Sequence, residues 1–244
     1  MDHVIDQIRQ RLDEDGRLTV LTGAGISAES GVPTFRDMGG LWEQYRVEEV
    51  ASPAAFSRDP ALVYRFYNLR RADLARLEPN AGHRALAALE AALGDRFMLI
   101  TQNVDDLHER AGSKRLLHMH GELRKARCTA CLRICPWLLD LDGNSRCPDC
   151  GANALRPHIV WFGEMPLYMD DEIPRALQAE VFLSVGTSGQ VYPAAGFVAE
   201  ARAAGALTVE LNLEAGDMAP AFALSLYGKA GEILPAMVAA LRIG

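Results

Sequence analysis

Four cysteines occur as two closely spaced pairs, a pattern typical of metal binding. Cys128 and Cys131 form one C-x-x-C pair, Cys147 and Cys150 form the other, and fifteen residues separate the pairs. Two thiolates from each of two tight turns can surround a zinc ion tetrahedrally. Sulfur would fill all four positions, so the predicted ion, one per chain, is structural. Four unrelated free cysteines are the alternative, and the fifth, Cys135, is interpreted as a packing residue.

A glycine-rich segment suggests a loop that binds a diphosphate. Residues 18–22 form a short apolar run typical of a buried strand, and residues 23–28 then read G-x-G-x-x-A. Glycines let the backbone approach a diphosphate, and the N-terminus of a following helix favours its charge. Gly31 and Pro33 then interrupt any long helix, and no clear strand precedes the later acidic residues Glu48 and Glu49. Dinucleotide binding is therefore favoured over hydride transfer, with a simple strand-to-helix turn as the alternative.

Polar side chains follow three further predicted strands, and ligands bind at the carboxyl ends of parallel strands. These side chains belong to Gln102, Asn103 and Asp105 after the first strand, Thr187 and Ser188 after the second, and Asn212 and Glu214 after the third. Asn103 has an alternative role as the cap of the helix that follows it. Together with the glycine-rich segment, these strand ends predict one crevice.

Two histidines lie at the end of another predicted strand. His118 and His120 would share one face of an extended segment, and Gly121 follows them. A neutral imidazole in this position can act as a general base, and His120 is the candidate because it adjoins the glycine. A purely structural histidine is the alternative, and His118 is the next candidate for the base.

The order of the predicted elements favours an α/β fold with a Rossmann-like parallel sheet covered by helices on both faces. Strands are predicted at 18–22, 96–101, 181–186 and 206–211, and helices at 4–12, 60–76, 83–93 and 231–243. Residues 121–157 interrupt this alternation and are predicted to form an inserted zinc-binding module. The expected division is a Rossmann-like domain of 1–36, 81–120 and 158–244, a helical part of a small domain at 37–80, and the module at 121–157.

The composition is that of a soluble globular protein. The 244 residues are 49% hydrophobic and 23% charged, and the net charge is -7. No apolar run approaches the ~20 residues that span a bilayer, and residues 1–10 do not resemble a secretory signal. The acidic balance argues against nucleic-acid binding as the main activity. We therefore expect a cytoplasmic protein with no nucleic-acid and no membrane partner.

Taken together, these motifs resemble the bacterial members of the sirtuin family over nearly the whole chain. The segments that carry the resemblance are residues 23–37, 101–112, 118–123, 156–164, 186–194 and 210–214, together with both cysteine pairs. The resemblance implies an enzyme that removes acyl groups from lysines of proteins or peptides. NAD would be a co-substrate that is consumed, giving nicotinamide and O-acyl-ADP-ribose.

The resemblance also implies roles for single residues. His120 would act as the general base on a ribose hydroxyl, with Asn103 as the second catalytic residue. Gln102, Asn103 and Asp105 would hold the nicotinamide end of NAD. The rest of the NAD pocket would consist of Gly23, Ala24, Gly25, Ser27, Glu29, Phe35, Arg36, Gly186, Thr187, Ser188, Asn212, Leu213, Glu214 and Ala230.

A further part of the resemblance concerns the acyl group. Val160, Phe162 and Glu164 would flank the acyl-lysine channel, and the substrate would add as a strand between that segment and the loop near Val191. Residues 51–71 resemble the subclass that removes succinyl and malonyl groups. In that subclass the substrate residues would be Ala51, which leaves room, and Tyr67 and Arg70, which bind the acyl carboxylate. The alternative is a core tyrosine and a solvated arginine.

Two other functions remain open at this point. Mono-ADP-ribosyl transfer would use the same bound NAD with a different acceptor, and the product would distinguish it from deacylation. A non-catalytic zinc-ribbon binding module is compatible with the cysteine pairs alone. The histidine, asparagine and aspartate motifs and the acidic charge argue against that module.

Overall fold

The computed structural model describes residues 1–13, 15–33, 41–42, 45–216 and 218–242. The helices are α1 Asp2–Arg11, α2 Ala24–Ala28, α3 Val47–Val50, α4 Pro53–Arg58, α5 Pro60–Leu74, α6 Ala81–Leu93, α7 Leu107–Ala111, α8 Glu172–Ala176, α9 Phe197–Ala203 and α10 Ala230–Leu241. The strands are β1 Leu18–Thr22, β2 Leu41–Trp42, β3 Tyr45–Arg46, β4 Phe97–Thr101, β5 Leu116–His118, β6 Gly121–Cys128, β7 Ile134–Pro136, β8 Leu155–Ile159, β9 Val181–Val185, β10 Leu207–Asn212 and β11 Leu224–Tyr227.

A six-stranded parallel sheet forms the centre of the molecule. Its strand order is β11-β10-β9-β1-β4-β5, and every neighbouring pair is parallel. The predicted parallel sheet is confirmed, and so are the four predicted strands within a residue or two. β4 lies on one side of β1 in the sheet and β9 lies on the other, so the direction in which strands are added reverses at β1. This reversal places the loop after β1 at the switch point, where open α/β sheets bind ligands.

Helices cover both faces of this sheet. Leu86, Leu89 and Leu93 lie on the buried face of α6, as their spacing predicts, and pack with Leu234 and Met237 of α10. α1 joins the same core, whereas α8 and α9 pack on the opposite face. These central strands are therefore buried on both sides, which explains why β1 and β9 read as continuous apolar runs rather than alternating ones.

A smaller part of the chain is built on an antiparallel sheet of order β7-β6-β8, with α3, α4 and α5 beside it. Tyr64 of α5 packs with Cys128 and Cys147, and its hydroxyl donates to the Leu155 carbonyl at 2.7 Å. A second cluster joins Ala51 and Phe66 to residues around the end of β8. The segment with the cysteines is therefore attached to α5 by an apolar core.

No helix within the described ranges combines the length and the apolarity needed to cross a membrane.

The loops after β1 and β9 approach each other so closely that only glycine fits at their contact. Gly25 N donates to Gly186 O at 2.8 Å, and a Cβ on Gly186 would lie 2.5 Å from the nitrogen of Ile26. Gly186 also has a φ of +61°, a conformation that L-residues rarely adopt. This contact fixes the distance between two of the loops predicted to bind the nucleotide.

We expect Gly186→Ala to lower the free energy of unfolding by more than the ~1–3 kcal/mol of a strained backbone conformation alone, because a neighbour must also move. Gly205→Ala is the control, since Gly205 has a φ of +94° but nothing lies within 4 Å of its added Cβ. Denaturant unfolding of both variants measures the difference. Equal losses would mean that the loop contact contributes nothing.

Candidate active site and metal centre

The buried hydroxyl of Ser27 joins the loops after β1 and β4. It accepts a hydrogen bond from Asn103 Nδ2 at 3.1 Å and donates one to Asp105 Oδ2 at 3.0 Å. His83 Nε2 lies 3.3 Å from the same oxygen. The Asn80 backbone N–H donates to His83 Nδ1, so the ring proton is on Nε2 and is donated to Ser27. Three predicted site residues from two loops thus form one hydrogen-bonded unit.

Burial determines the charge states in this unit. It lowers the pKa of His83 to about 4, with a further contribution from Arg84, so the ring is neutral at physiological pH. Burial also raises the pKa of Asp105, whereas hydrogen bonds from Leu107 N and Ser27 act in the opposite direction. The Leu107 bond shows that Asp105, rather than Asn103, supports the start of α7. Asn103 therefore does not fill the alternative capping role.

The sequence patterns predict no functional role for two histidines near this unit, His83 and His108. His83 was assigned only to a helix, and His108 only to the segment after the polar motif. His108 is fully buried, with Nε2 at 3.0 Å from Thr22 Oγ1, and its ring packs at 4.8 Å from that of His83. The only sequence signal for His83 is its position three residues after Asn80, with which it forms a capping box.

His120 has the geometry of a general base. Its Nδ1 lies 3.1 Å from the Gln102 carbonyl oxygen, which can only accept, so Nδ1 carries the proton and Nε2 has a free lone pair. Burial lowers the pKa of His120, although the hydrogen bond to Gln102 raises it. The ring is therefore neutral near pH 7. His120 lies in the turn between β5 and β6, two residues after the buried His118.

The loops after β4, β9 and β10 are also connected to one another. Gln102 Nε2 donates to Thr187 Oγ1 at 3.0 Å, and Asn212 Nδ2 donates to the Thr187 carbonyl at 2.9 Å. Glu29 accepts from the backbone N–H of Gly231 at 2.8 Å, next to the buried Ala230. The carboxyl edge of the sheet thus brings most predicted NAD residues together.

The remaining predicted NAD residues differ in their surroundings. Leu213 and Glu214 are exposed, and Ser188 is half-buried. Gly23 packs against the second loop, where an added Cβ would lie 2.8 Å from the Gly186 carbonyl oxygen. Phe35 and Arg36 lie outside the described residues.

A cavity of about 360 Å³ opens beside these loops. It is lined by Ala24, Val32, Arg70, Gln102, Asn103 and Asp105, among others. Part of the predicted nucleotide loop, the polar motif after β4 and one predicted acyl-binding residue therefore face a common space.

Tyr67 and Arg70 are both buried, but they have different neighbours. Trp161 Nε1 donates to the Tyr67 hydroxyl at 3.0 Å, and burial raises the pKa of Tyr67, so the phenol stays protonated. Arg70 is 9% exposed, and its guanidinium lies 5.6 Å from the centre of the Phe66 ring. Arg70 lines the cavity, whereas Tyr67 is not among its lining residues. Arg70 is thus not a solvated charge.

The segment after β8 holds the other predicted acyl-channel residues. The backbone N–H of Val160 donates to the His120 carbonyl at 2.9 Å, and that of Phe162 to the Ala51 carbonyl at 3.0 Å. The Phe162 side chain is 54% exposed, and Val191 is half-buried. Glu164 accepts from Arg127 and Arg156, both at 2.7 Å, and so anchors this segment to the small sheet.

The four paired cysteines form a cluster that fits a structural zinc ion. All four Sγ atoms lie within 4.8 Å of one another, and the Cys128–Cys150 and Cys131–Cys147 distances are both 3.7 Å. Zn–S bonds of about 2.3 Å in a tetrahedron place sulfur atoms about 3.8 Å apart. Cys135 lies outside the cluster and packs beside it, as interpreted from the sequence.

We expect Cys128→Ser to release the metal and to lower the melting temperature by about 5–10 °C, which corresponds to about 2–3 kcal/mol for a chain of this size. Cys135→Ser is the matched control and should retain both. Elemental analysis and thermal unfolding of the two variants and the parent measure the effect. A well-folded parent without zinc would contradict the assignment.

Comparison with known proteins identifies the family. Residues 23–193 match the model of the Sir2 family. The NAD-dependent protein deacylase of Shigella flexneri is 53% identical over 242 residues, covering 98% of this chain and 89% of that protein. The enzyme of the same name from Yersinia pestis is 57% identical over 221 residues, covering 89% and 80%.

Solved structures agree with this result. An ADP-ribose complex of a Sir2 homologue variant has a TM-score of 0.89 at 41% identity and covers 99% of this chain and 96% of that one. Sir2Af2 bound to a myristoylated histone peptide has a TM-score of 0.75 at 33% identity and covers 99% and 98%. The predicted Rossmann-like fold and the predicted family are both confirmed, and the chain belongs to the Sir2, or sirtuin, family.

Proposed function

We propose that this chain is an NAD-dependent protein-lysine deacylase that transfers the acyl group to the ADP-ribose part of NAD and releases nicotinamide. The observation that carries the proposal is the position of a neutral histidine, His120, hydrogen-bonded to the loop whose Asn103 and Asp105 meet Ser27. The names of the curated relatives support the activity, and an NAD complex of a Sir2 homologue with 41% identity supports the co-substrate.

NAD, when bound, would supply a ribose carbon from which nicotinamide can leave, and the protein positions the reacting groups around it. Nε2 of His120 accepts a proton from a ribose hydroxyl, since Nδ1 is already committed to Gln102. Asn103 and Asp105 are held in place through Ser27, so their orientation costs little reorganisation during the reaction. Gln102 and Thr187 connect the two loops on either side of β1.

The proposal includes a preference for acidic acyl groups. A succinyl or malonyl carboxylate that enters a buried channel must be paired there, because its desolvation is costly. Arg70 supplies a buried cation at the cavity, and Tyr67 supplies a phenolic O–H because the Trp161 bond occupies only a lone pair of its oxygen. The small side chain of Ala51 is buried in the same cluster as Tyr67 and Trp161.

Several predictions from the sequence belong to this proposal. The predicted division has a Rossmann-like domain of 1–36, 81–120 and 158–244, a helical part of the small domain at 37–80 and a zinc-binding module at 121–157. Separate apolar cores for the large sheet and for the small sheet support this division. A protein or peptide substrate is supported by the peptide complex of Sir2Af2. A cytoplasmic location and the absence of nucleic-acid and membrane partners rest on the sequence alone.

His120→Ala should lower the deacylation rate by about a hundredfold or more and leave NAD affinity within a few-fold, because a general base contributes about 10²–10⁴ to the rate. His3→Ala, at an exposed position of α1, is the control and should retain full activity. Because the pKa of His120 is lowered, the acid-side loss of activity in the parent, caused by protonation of this ring, should lie below the ordinary imidazole pKa of ~6.5. Near-normal turnover of a folded His120→Ala variant would assign the base elsewhere.

Arg70→Met should lower kcat/KM for succinyl-lysine peptides by about tenfold to a hundredfold, since a charge-assisted hydrogen bond contributes about 1.5–3 kcal/mol. The value for acetyl-lysine peptides should change far less. Arg65→Met is the matched control, because Arg65 is exposed on the same helix. An unchanged ratio of succinyl to acetyl efficiency would overturn the role of Arg70.

The products distinguish deacylation from ADP-ribosyl transfer. Incubation with acetyl-, malonyl- and succinyl-lysine peptides, with and without NAD, should yield free lysine peptide, nicotinamide and O-acyl-ADP-ribose only when NAD is present. ADP-ribosylated peptide as the main product would instead favour the transferase.

A further inference from the structure

Two histidines hold consecutive carbonyl groups of the loop after β4. His120 Nδ1 lies 3.1 Å from the Gln102 carbonyl oxygen, and His118 Nδ1 lies 3.1 Å from the Asn103 carbonyl oxygen. The other ring nitrogens have different surroundings. His118 Nε2 lies 2.8 Å from Glu109 Oε1. Among the described residues, none forms a hydrogen bond with His120 Nε2. His118 thus bridges α7 and the backbone of a proposed catalytic residue.

The partners of His118 require a proton on each ring nitrogen. A carbonyl oxygen and an ionised carboxylate can only accept hydrogen bonds, and a neutral imidazole can donate from one nitrogen only. Burial lowers the pKa of His118, but the hydrogen bond and charge of Glu109, together with Glu122 and the Asn103 carbonyl, raise it above its ordinary value. Burial likewise raises the pKa of Glu109, but the bond from His118 lowers it overall. Both directions favour a charged pair.

The charged groups around His118 come from three elements. α7 contributes Glu109 and also His108, whose pKa burial places well below its ordinary value, so that it is neutral. β6 contributes Glu122 and Lys125, which pair at 2.7 Å. The loop after β4 contributes Asp105, which interacts with His118 electrostatically. The ring, 5% exposed, therefore lies among carboxylates.

We propose that His118 is a positioning residue whose doubly protonated ring fixes the Asn103 carbonyl through its pairing with Glu109, and that loss of its proton sets an alkaline limit to deacylation. After deprotonation, one ring nitrogen presents a lone pair either to the Asn103 carbonyl or to the Glu109 carboxylate. One attraction then becomes a repulsion, and the loop that carries Asn103 is released. The inference rests on the proposed deacylase function, because its kinetic readout is the deacylation rate.

Glu109→Gln separates this role from a purely structural one. The glutamine amide can donate to Nε2 of a neutral ring, while Nδ1 still donates to Asn103, so both hydrogen bonds survive deprotonation. We expect kcat of the parent to fall on the alkaline side and this fall to be absent in Glu109→Gln, because the variant keeps both hydrogen bonds with a neutral ring. Glu122→Gln is the control. It removes a charge that favours protonation and should move the alkaline fall down.

Two substitutions of His118 test which contact positions the loop. An asparagine amide reaches the place of Nδ1 and keeps the bond to Asn103, whereas a glutamine amide reaches the place of Nε2 and keeps only the contact with Glu109. His118→Asn should retain kcat within about threefold and lack the alkaline fall, and His118→Gln should lose tenfold or more. Equal losses in two folded variants would overturn the positioning role.

A direct measurement separates this inference from the proposed function. Nitrogen-15 NMR of the histidine rings, with His118 assigned by its loss in His118→Asn, reports the protonation of both nitrogens. A doubly protonated ring at pH 7 that becomes neutral together with the fall in kcat supports the proposal. A neutral ring at pH 7, or an alkaline fall unchanged in Glu109→Gln, overturns it. If the parent shows no NAD-dependent deacylation, the proposed function fails, and the NMR titration still decides the state of His118.

Discussion

The site depends on one buried hydroxyl group, that of Ser27. The group is fully excluded from water, so each of its hydrogen-bonding positions must be filled by the protein. It accepts from Asn103 and His83 and donates to Asp105, and these contacts connect the loops after β1 and β4 with the start of α6. Because the oxygen is saturated, movement of one partner leaves another polar group unpaired in a medium of low dielectric. The loops are therefore held as a set.

One strand, β6, connects the proposed base to the zinc cluster. β6 begins at Gly121, directly after His120, and ends at Cys128. Gly121 has a φ of +81°, and an added Cβ would lie 2.2 Å from the His158 carbonyl oxygen, so the paired backbones of β6 and β8 lie very close together at this point. The cysteine cluster fixes the far end of β6, and the contact with β8 fixes its near end. A zinc ion bound by the cluster would thus contribute to the position of His120 through the backbone, at a distance from the chemistry.

Much of this structure was predictable because its signals are local. The cysteine spacing, the apolar runs of β1, β4, β9 and β10 and the glycine loop each occupy a few consecutive residues. His83 was missed because its partner Ser27 lies 56 positions away, and nothing near either residue indicates the other. The helical spacing of Tyr67 and Arg70 predicts a common direction, but Trp161, 94 positions from Tyr67, determines what the phenol contacts. β11 was missed because it is short and only partly buried.

The position of β1 in the centre of the sheet has a consequence for synthesis on the ribosome. β1 pairs on one side with β4 and on the other with β9, so Leu18 meets both Phe97 and Val181. At about 5–20 residues per second, β9 emerges about 4 to 17 seconds after β4. During this interval one edge of an apolar strand has no partner and can pair with other chains. Chaperone binding to the nascent chain should therefore be concentrated in this interval, and a shorter crossover between β4 and β9 would shorten it.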